Sequence, residues 1–195
     1  MNAYMKINPQ NYRRNSIRLK GFDYSLPGAY SITVVTHQRE CLFGEVVDGE
    51  MLVNQFGKIV ERTWMDLPTH YPQVTLEAFV VMPNHVHGIV IINDLRGGSL
   101  LNGDLKVNNS MENGESLPDI NQTHPYKMMQ HGLPEIVRAF KSFSARRINL
   151  ISNTQGFAVW QRSFYDHIIR DDWDYRNIWE YIQINPQKWQ EDDLQ

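Results

Sequence analysis

The chain has 195 residues, of which 42% are apolar, 21% charged and 11% aromatic, a balance that suits one globular core and excludes a disordered or fibrous chain. Its 19 Lys+Arg against 22 Asp+Glu give a formal charge of −3, which argues against a uniformly basic nucleic-acid coat and leaves local patches as the place for such contacts. The single cysteine, Cys41, excludes an internal disulfide and any multi-cysteine zinc site, so a metal would be held by histidine, carboxylate or amide ligands.

No apolar run approaches the roughly 20 residues of a membrane span. The N-terminal Lys6, Arg13, Arg14, Arg18 and Lys20 are not followed by the apolar stretch of a secretory signal. The expected location is therefore cytoplasmic, with no membrane partner.

In chain order, Ala29 to His37 is rich in aromatic and β-branched residues and predicts a strand. Between Gly44 and Val53, Asp48-Gly49 separates two short apolar pieces, which is a hairpin signal. Asn54 is placed to cap a helix that runs through Ile59, Val60 and Trp64 to near Asp66, with Gly57 weakening it and Pro68 beyond its end. Val74 to Met82 and His85 to Ile92 read as strands, and the short Pro83-Asn84 turn between them makes them antiparallel neighbours. Residues 93–123 turn to Gly, Asn, Ser and Asp and are expected to be a flexible surface insertion with no catalytic pattern. Pro134 opens a helix carrying Ile136, Val137, Phe140, Phe143, Ile148 and Ile151 on one side and basic residues around the rest. Phe157 to Trp160 and Ser163 to Arg170 suggest a strand, and a last helix begins near Asp171-Asp172, which act as its cap, and ends before Pro186.

With the hairpin and last helix set aside, the order is β-α-β-β-α-β. That predicts an α+β class and a ferredoxin-like antiparallel sheet with two helices over one face, in a single domain spanning residues 1–195. The other face is left for the last helix or a ligand.

The segment Met82-Pro83-Asn84-His85-Val86-His87-Gly88 is the most informative. Alternation in a strand points His85 and His87 to one face, where two imidazoles can share a divalent cation, and Gly88 leaves room for another backbone to approach. The pair is short and common and reads equally as structural histidines; a third ligand has to be found. On the last helix, at about 100° per residue, Asp174, Asn177, Tyr181 and Asn185 share a stripe beside an apolar arc of Tyr175, Ile178, Trp179 and Ile182. Tyr181 then has a carboxamide one turn away on each side, and Asn185 can lend a neutral oxygen ligand. A phenol is a poor nucleophile at its usual pKa near 10, but a neighbouring cation polarises the phosphorus it would attack. Helical tyrosines also serve simply as packing, and Tyr165 and Tyr175 compete for the role. The tail Glu191-Asp192-Asp193 reads as acidic surface. The basic clusters 12–20 and 138–147 are either solvated faces or phosphate contacts.

Pro83-Asn84-His85-Val86-His87-Gly88, Trp160-Gln161-Arg162-Ser163-Phe164-Tyr165-Asp166-His167-Ile168-Ile169-Arg170 and Glu180-Tyr181-Ile182-Gln183-Ile184-Asn185-Pro186 together resemble the REP-associated tyrosine transposases, also called transposase IS200-like proteins, a branch of the single-tyrosine HUH nucleases. The resemblance implies the fold described above, action on single-stranded DNA containing hairpins, and Mg²⁺ or Mn²⁺ as cofactor. It places the metal ligands on His85, His87 and Asn185 and the covalent nucleophile on Tyr181. The implied reaction is endonuclease cleavage and strand transfer, with a 5′-phosphotyrosyl intermediate that a free 3′-hydroxyl can reverse. Arg13, Arg14, Lys141, Arg146 and Arg147 become candidate backbone contacts, Arg162 a contact near the active site, and Trp160, with Tyr12 and Phe143, candidate stacking surfaces. A monomer is favoured over a homodimer, because the related insertion-sequence transposases are dimers with shared sites while REP-associated proteins resemble monomers. Whether Tyr181 meets the histidines of its own chain stays open. Bound to DNA, such a protein would sit in the nucleoid. Two other readings stand beside it: a non-catalytic DNA-hairpin binding protein on the same fold, and an RNA-binding ferredoxin-like domain with an incidental His-x-His pair.

Overall fold

The computed structural model describes residue 19, residues 21–94 and residues 131–195; Tyr12, Arg13, Arg14 and nearly all of the 93–123 insertion lie outside them. The elements are β1 (Gly28–Val35), β2 (Gly44–Val47), β3 (Glu50–Val53), α1 (Gln55–Met65), α2 (Leu67–His70), β4 (Val74–Val81), β5 (His85–Ile92), α3 (Leu133–Ser152), β6 (Tyr165–Ile169) and α4 (Asp172–Ile184), with 3₁₀ turns at His37–Arg39 and Asn185–Glu191.

The main sheet has the order β4-β5-β1-β6, and each neighbouring pair is antiparallel. β1 and β4 are therefore parallel with β5 between them and are joined through α1, while β5 and β6 are parallel with β1 between them and are joined through α3. Two such interleaved β-α-β units make an α+β fold consistent with the expected ferredoxin-like arrangement. The hairpin β2-β3 forms a separate two-stranded sheet. Its turn residues Asp48 and Gly49 both have positive φ, 52° and 79°, as a tight hairpin requires. Asn54 caps α1, its Oδ1 accepting from the backbone N–H of Phe56 at 2.8 Å and of Gly57 at 3.1 Å.

Strand alternation sorts the side chains into two cores. Tyr30, Ile32 and Val34 of β1 and Val86, Val90 and Ile92 of β5 face α1 and α3, which contribute Val60, Trp64, Ile136, Val137, Phe140 and Ile148. The opposite face carries Ala78, Ile89 and Ile91, and onto it α4 lays Tyr175, Ile178 and Ile182. Trp179, expected on that apolar arc, is instead 44% exposed, lying about 100° round the helix from Ile178.

Gly88 serves the first core. The Trp64 indole stacks on Phe79 at 4.5 Å and 12°, and a Cβ at position 88 would fall 2.6 Å from its ring. The missing side chain makes room for an indole of the same chain and not for another backbone.

Two expected boundaries differ. Of Phe157–Trp160 only Trp160 joins the sheet, by an isolated bridge to Thr36, since its ring turns into the core between Phe43 and Phe140. The helix α4 stops at Ile184, yet Asn185 keeps helical torsions (φ −55°, ψ −42°), so it still lies one turn from Tyr181 before the 3₁₀ turn carries the chain through Pro186. Among the described residues, no helix is long and apolar enough to cross a membrane.

Candidate metal centre and its tyrosine

The face of the sheet beneath α4 is apolar at one end and polar at the other. Along β5 the residues on that face run Ile91, Ile89, His87, His85, and α4 and its extension match them with Ile178, Ile182, Tyr181 and Asn185. Packing of the isoleucines thus sets where the tyrosine falls. The rings of His85 and His87 meet edge to face at 4.6 Å, and the Tyr181 ring meets His87 in the same way at 5.2 Å.

Beyond Asn185 the 3₁₀ turn places Trp189 over His85, with ring centres 6.0 Å apart, and reverses the chain so that Asp192 enters the site. Ligand atoms of His85, His87 and Asp192 all lie within 4.8 Å of one another. Metal bonds of about 2.1 Å hold ligand atoms about 3–4.3 Å apart, so this His/His/Asp cluster can coordinate a metal ion. Nε2 of His85 and of His87, Oδ1 of Asn185 and Oδ2 of Asp192 are all buried without a hydrogen-bond partner. An orphaned buried polar atom costs roughly 1–3 kcal/mol, and several lone-pair donors converging from neighbouring side chains fit a cation.

The other ring nitrogens are engaged. His87 Nδ1 pairs with Thr33 Oγ1 at 2.8 Å, and His85 Nδ1 with Asn84 Oδ1 at 2.7 Å. Contacts of this kind orient metal-ligating imidazoles.

Burial, then the neighbouring His87, pushes the His85 pKa down to about 2, and burial alone pushes that of His87 down to about 4. Both rings are neutral and ready to donate at physiological pH. Burial also raises Asp192 above the ordinary carboxylate value, assisted by Asp193 and opposed by the Leu194 N–H and by Arg39. The Tyr181 hydroxyl is raised above 10 by burial and by the Asp192 carboxylate, against which the Asn185 amide acts. Asn185 also interacts with His85, so its amide stands between tyrosine and histidine. A cation at the cluster would reverse the Asp192 effect on the tyrosine.

The structure brings His85, His87, Tyr181 and Asn185 of one chain together and adds Asp192, which read as acidic surface in the sequence. The basic residues of α3 fall elsewhere, because α3 covers the opposite face of the sheet. Arg147 spans to α1, bonding Asp66 Oδ2 at 2.8 Å and Thr63 Oγ1 at 2.9 Å. The Lys141 ammonium donates to the carbonyls of Gln161, Arg162 and Ser163 at 2.6, 2.9 and 3.3 Å. Arg146 is exposed on that same far layer. Trp160 is only 7% exposed, with Nε1 donating to Ser144 Oγ at 2.9 Å, so it is core and not an open stacking face. Phe143 sits against His70 at 5.5 Å.

Arg162 is exposed in the turn before β6, whose first residue Tyr165 pairs with Thr33, at the end of the sheet where the cluster lies. Of the competing tyrosines, Tyr175 donates its hydroxyl to Glu77 at 3.2 Å. Asp174 is drawn to His167 at 2.8 Å, and Asp171 Oδ1 accepts from the Asp174 N–H at 2.8 Å as the α4 cap.

Fold and site together define an α+β protein with a His/His/Asp cluster capable of coordinating a metal ion, under a C-terminal helix that carries a tyrosine. An uncharacterised protein of Haemophilus influenzae is 38% identical over 190 residues, 97% of both chains, and the chain belongs to that protein's family. A second H. influenzae protein, provisionally assigned as a REP-associated tyrosine transposase, is 26% identical over 181 residues, 91% of this chain and 76% of its own. The solved structure of a REP-associated tyrosine transposase bound to a REP hairpin shares the fold, with a TM-score of 0.51 and 20% identity over 88% of this chain and 74% of that one. The chain is thus similar in sequence to one protein provisionally assigned to the REP-associated tyrosine transposases and shares its fold with a solved one. No protein-family model matches it.

Proposed function

We propose that the protein is a metal-dependent single-stranded DNA endonuclease and strand transferase that acts on hairpin-containing DNA through a 5′-phosphotyrosyl intermediate. One observation carries this reading above the others: Tyr181 lies against His87 at 5.2 Å, one turn before Asn185 and beside the His85/His87/Asp192 cluster. The fold shared with a hairpin-bound REP-associated transposase supports the choice of substrate.

In this reading His85 Nε2, His87 Nε2 and Asp192 Oδ2 hold Mg²⁺ or Mn²⁺, with Asn185 Oδ1 completing the protein's share. Two imidazole nitrogens suit Mn²⁺ better than Mg²⁺, which favours oxygen ligands. The bound cation supplies the positive charge that a phosphodiester transition state requires. Tyr181 Oη forms a bond to phosphorus as the bond from phosphorus to the 3′ oxygen breaks. Its proton passes to water on the open side of the ring, which is 44% exposed, and the departing 3′ oxygen takes one from water. A free 3′-hydroxyl reverses the step and rejoins strands. Asn185 steadies the tyrosine oxygen throughout.

The test mixes labelled single-stranded hairpins with the protein in Mn²⁺ or EDTA and looks for a denaturation-resistant protein–DNA adduct. The wild type should form one in Mn²⁺ only. Tyr181→Phe should form none while binding the hairpins as before. Tight binding without an adduct over a broad hairpin panel would overturn the nuclease reading in favour of a hairpin-binding protein.

A further inference from the structure

We infer that Asn84 is the positioning residue of the metal centre, fixing the ring of His85 and, through the same amide, anchoring the C-terminal strap that delivers Asp192. The inference rests on the metal reading above and concerns how this chain builds the site.

The Asn84 side chain is fully buried in the turn before β5. Its Nδ2 lies 3.2 Å from the carbonyl of Arg39 and 2.7 Å from that of Leu194. Carbonyl oxygens only accept, so the –NH₂ group must face them, and the amide orientation follows from its partners. Oδ1 is then the atom 2.7 Å from His85 Nδ1. Because Oδ1 also only accepts, Nδ1 carries the imidazole proton. A neutral imidazole has one N–H, so Nε2 presents a bare lone pair, and it faces Asp192 Oδ2 at 3.5 Å. With His85 neutral and Asp192 ionised, two lone pairs face one another there, an arrangement that a cation between them satisfies.

The second half of the inference concerns the strap. Leu194, whose carbonyl Asn84 holds, donates its own N–H to Asp192 Oδ1 at 2.8 Å. That engages one carboxylate oxygen and turns the other toward His85. Arg39 adds a tie to the carbonyl of Asp193 at 3.0 Å. A single amide therefore orients His85 and holds the strap that carries Asp192, linking residues 110 positions apart in the chain.

The experiment uses the full chain and Mn²⁺ as the probe. Mn²⁺ uptake is followed by loss of the free-ion electron paramagnetic resonance signal, hydrogen exchange of the amides in 190–195 is measured with and without Mn²⁺, and imidazole ¹⁵N shifts of the metal-free protein report the His85 tautomer. Wild type should bind Mn²⁺, show slowed exchange of the strap when it is bound, and carry the Nδ1–H form of His85. In Asn84→Ala, Mn²⁺ affinity should drop about 10–100-fold, the usual cost of losing a group that orients a metal ligand, the strap should exchange quickly with or without Mn²⁺, and the tautomer preference should be lost. Thr33→Val, which removes only the partner of His87, should leave strap exchange and the His85 tautomer unchanged. Should Asn84→Ala not fold, deletion of Leu194 and Gln195 takes its place, with Mn²⁺ affinity and strap protection expected to fall together. A folded Asn84→Ala protein that binds Mn²⁺ as wild type does, or that binds weakly with the strap still protected, overturns the inference and leaves the metal reading standing. Wild type that takes up no Mn²⁺ removes the metal reading and this inference with it.

Discussion

Acidification should destabilise this protein already above the ordinary carboxylate range, and the two site histidines set how much. In the fold, burial holds His85 at about 2 and His87 at about 4, whereas in the unfolded chain each titrates near 6.5. Between pH 7.5 and 5.5 the unfolded state takes up protons on both rings and the native state takes up none, so stability falls as pH falls. Each ring contributes a little over 1 kcal/mol across that window, and the pair about 3 kcal/mol, a figure that holds for any folded values well below 5.5. The loss continues on further acidification until the folded pKa of His87, and then that of His85, is passed. Asp192 acts with the opposite sign, since its raised pKa lets the fold keep a proton that the unfolded chain gives up, and it offsets part of the loss toward the carboxylate range.

Equilibrium urea denaturation at the two pH values, in EDTA to exclude cations, measures the effect. The wild type should lose about 3 kcal/mol relative to a His85→Gln/His87→Gln variant carried through the same change. An equal loss in both proteins would refute the claim that these imidazoles are buried neutral, and with it their readiness to bind metal.

Gly88→Ala would drive a Cβ to 2.6 Å from the Trp64 ring; the expected loss is about 1–3 kcal/mol in chemical denaturation, partly recovered when Trp64 is shortened to Leu in the same chain. Lys141→Met, which removes the donor to three carbonyls, should lower stability by about 1.5–3 kcal/mol and leave the salt dependence of hairpin binding unchanged. Arg162→Ser should do the reverse, keeping the melting temperature and reducing the log–log salt slope by about 0.7–0.9, one phosphate contact.

What the sequence made legible is what a few adjacent residues decide. Asp48-Gly49 can hardly be anything but a tight turn, Asn54 caps the helix that follows it, and the alternation that puts His85 and His87 on one face is a property of β5 alone. Tyr181 and Asn185 share a side because helical torsions persist one residue past α4. Asp192 was not legible, because it reaches the cluster only after a 3₁₀ turn reverses the chain, and no spacing within 185–195 records that reversal. Thr33 needed the β1–β5 register to meet His87. The basic run of α3 announces an exposed helix face but not the side of the sheet it covers, and the sheet separates it from the cluster.

The division of the α4 face into an apolar and a polar half bears on how the site keeps its geometry. Ile182 is 1% exposed and packs with Ala78 and Ile89, and Tyr181 is its immediate neighbour in the chain. Rotating α4 enough to move the tyrosine ring off His87 would lift Ile182 and Ile178 from the sheet, at roughly 1.5–3 kcal/mol for each side chain fully re-exposed. The strap sets Trp189 against His85 and is tied by Asn84 to the Leu194 carbonyl and by Arg39 to that of Asp193. The tyrosine is thus positioned by packing and the carboxylate by hydrogen bonds, so a cation joining β5 to the strap would stabilise the half of the site that the hydrophobic core does not reach.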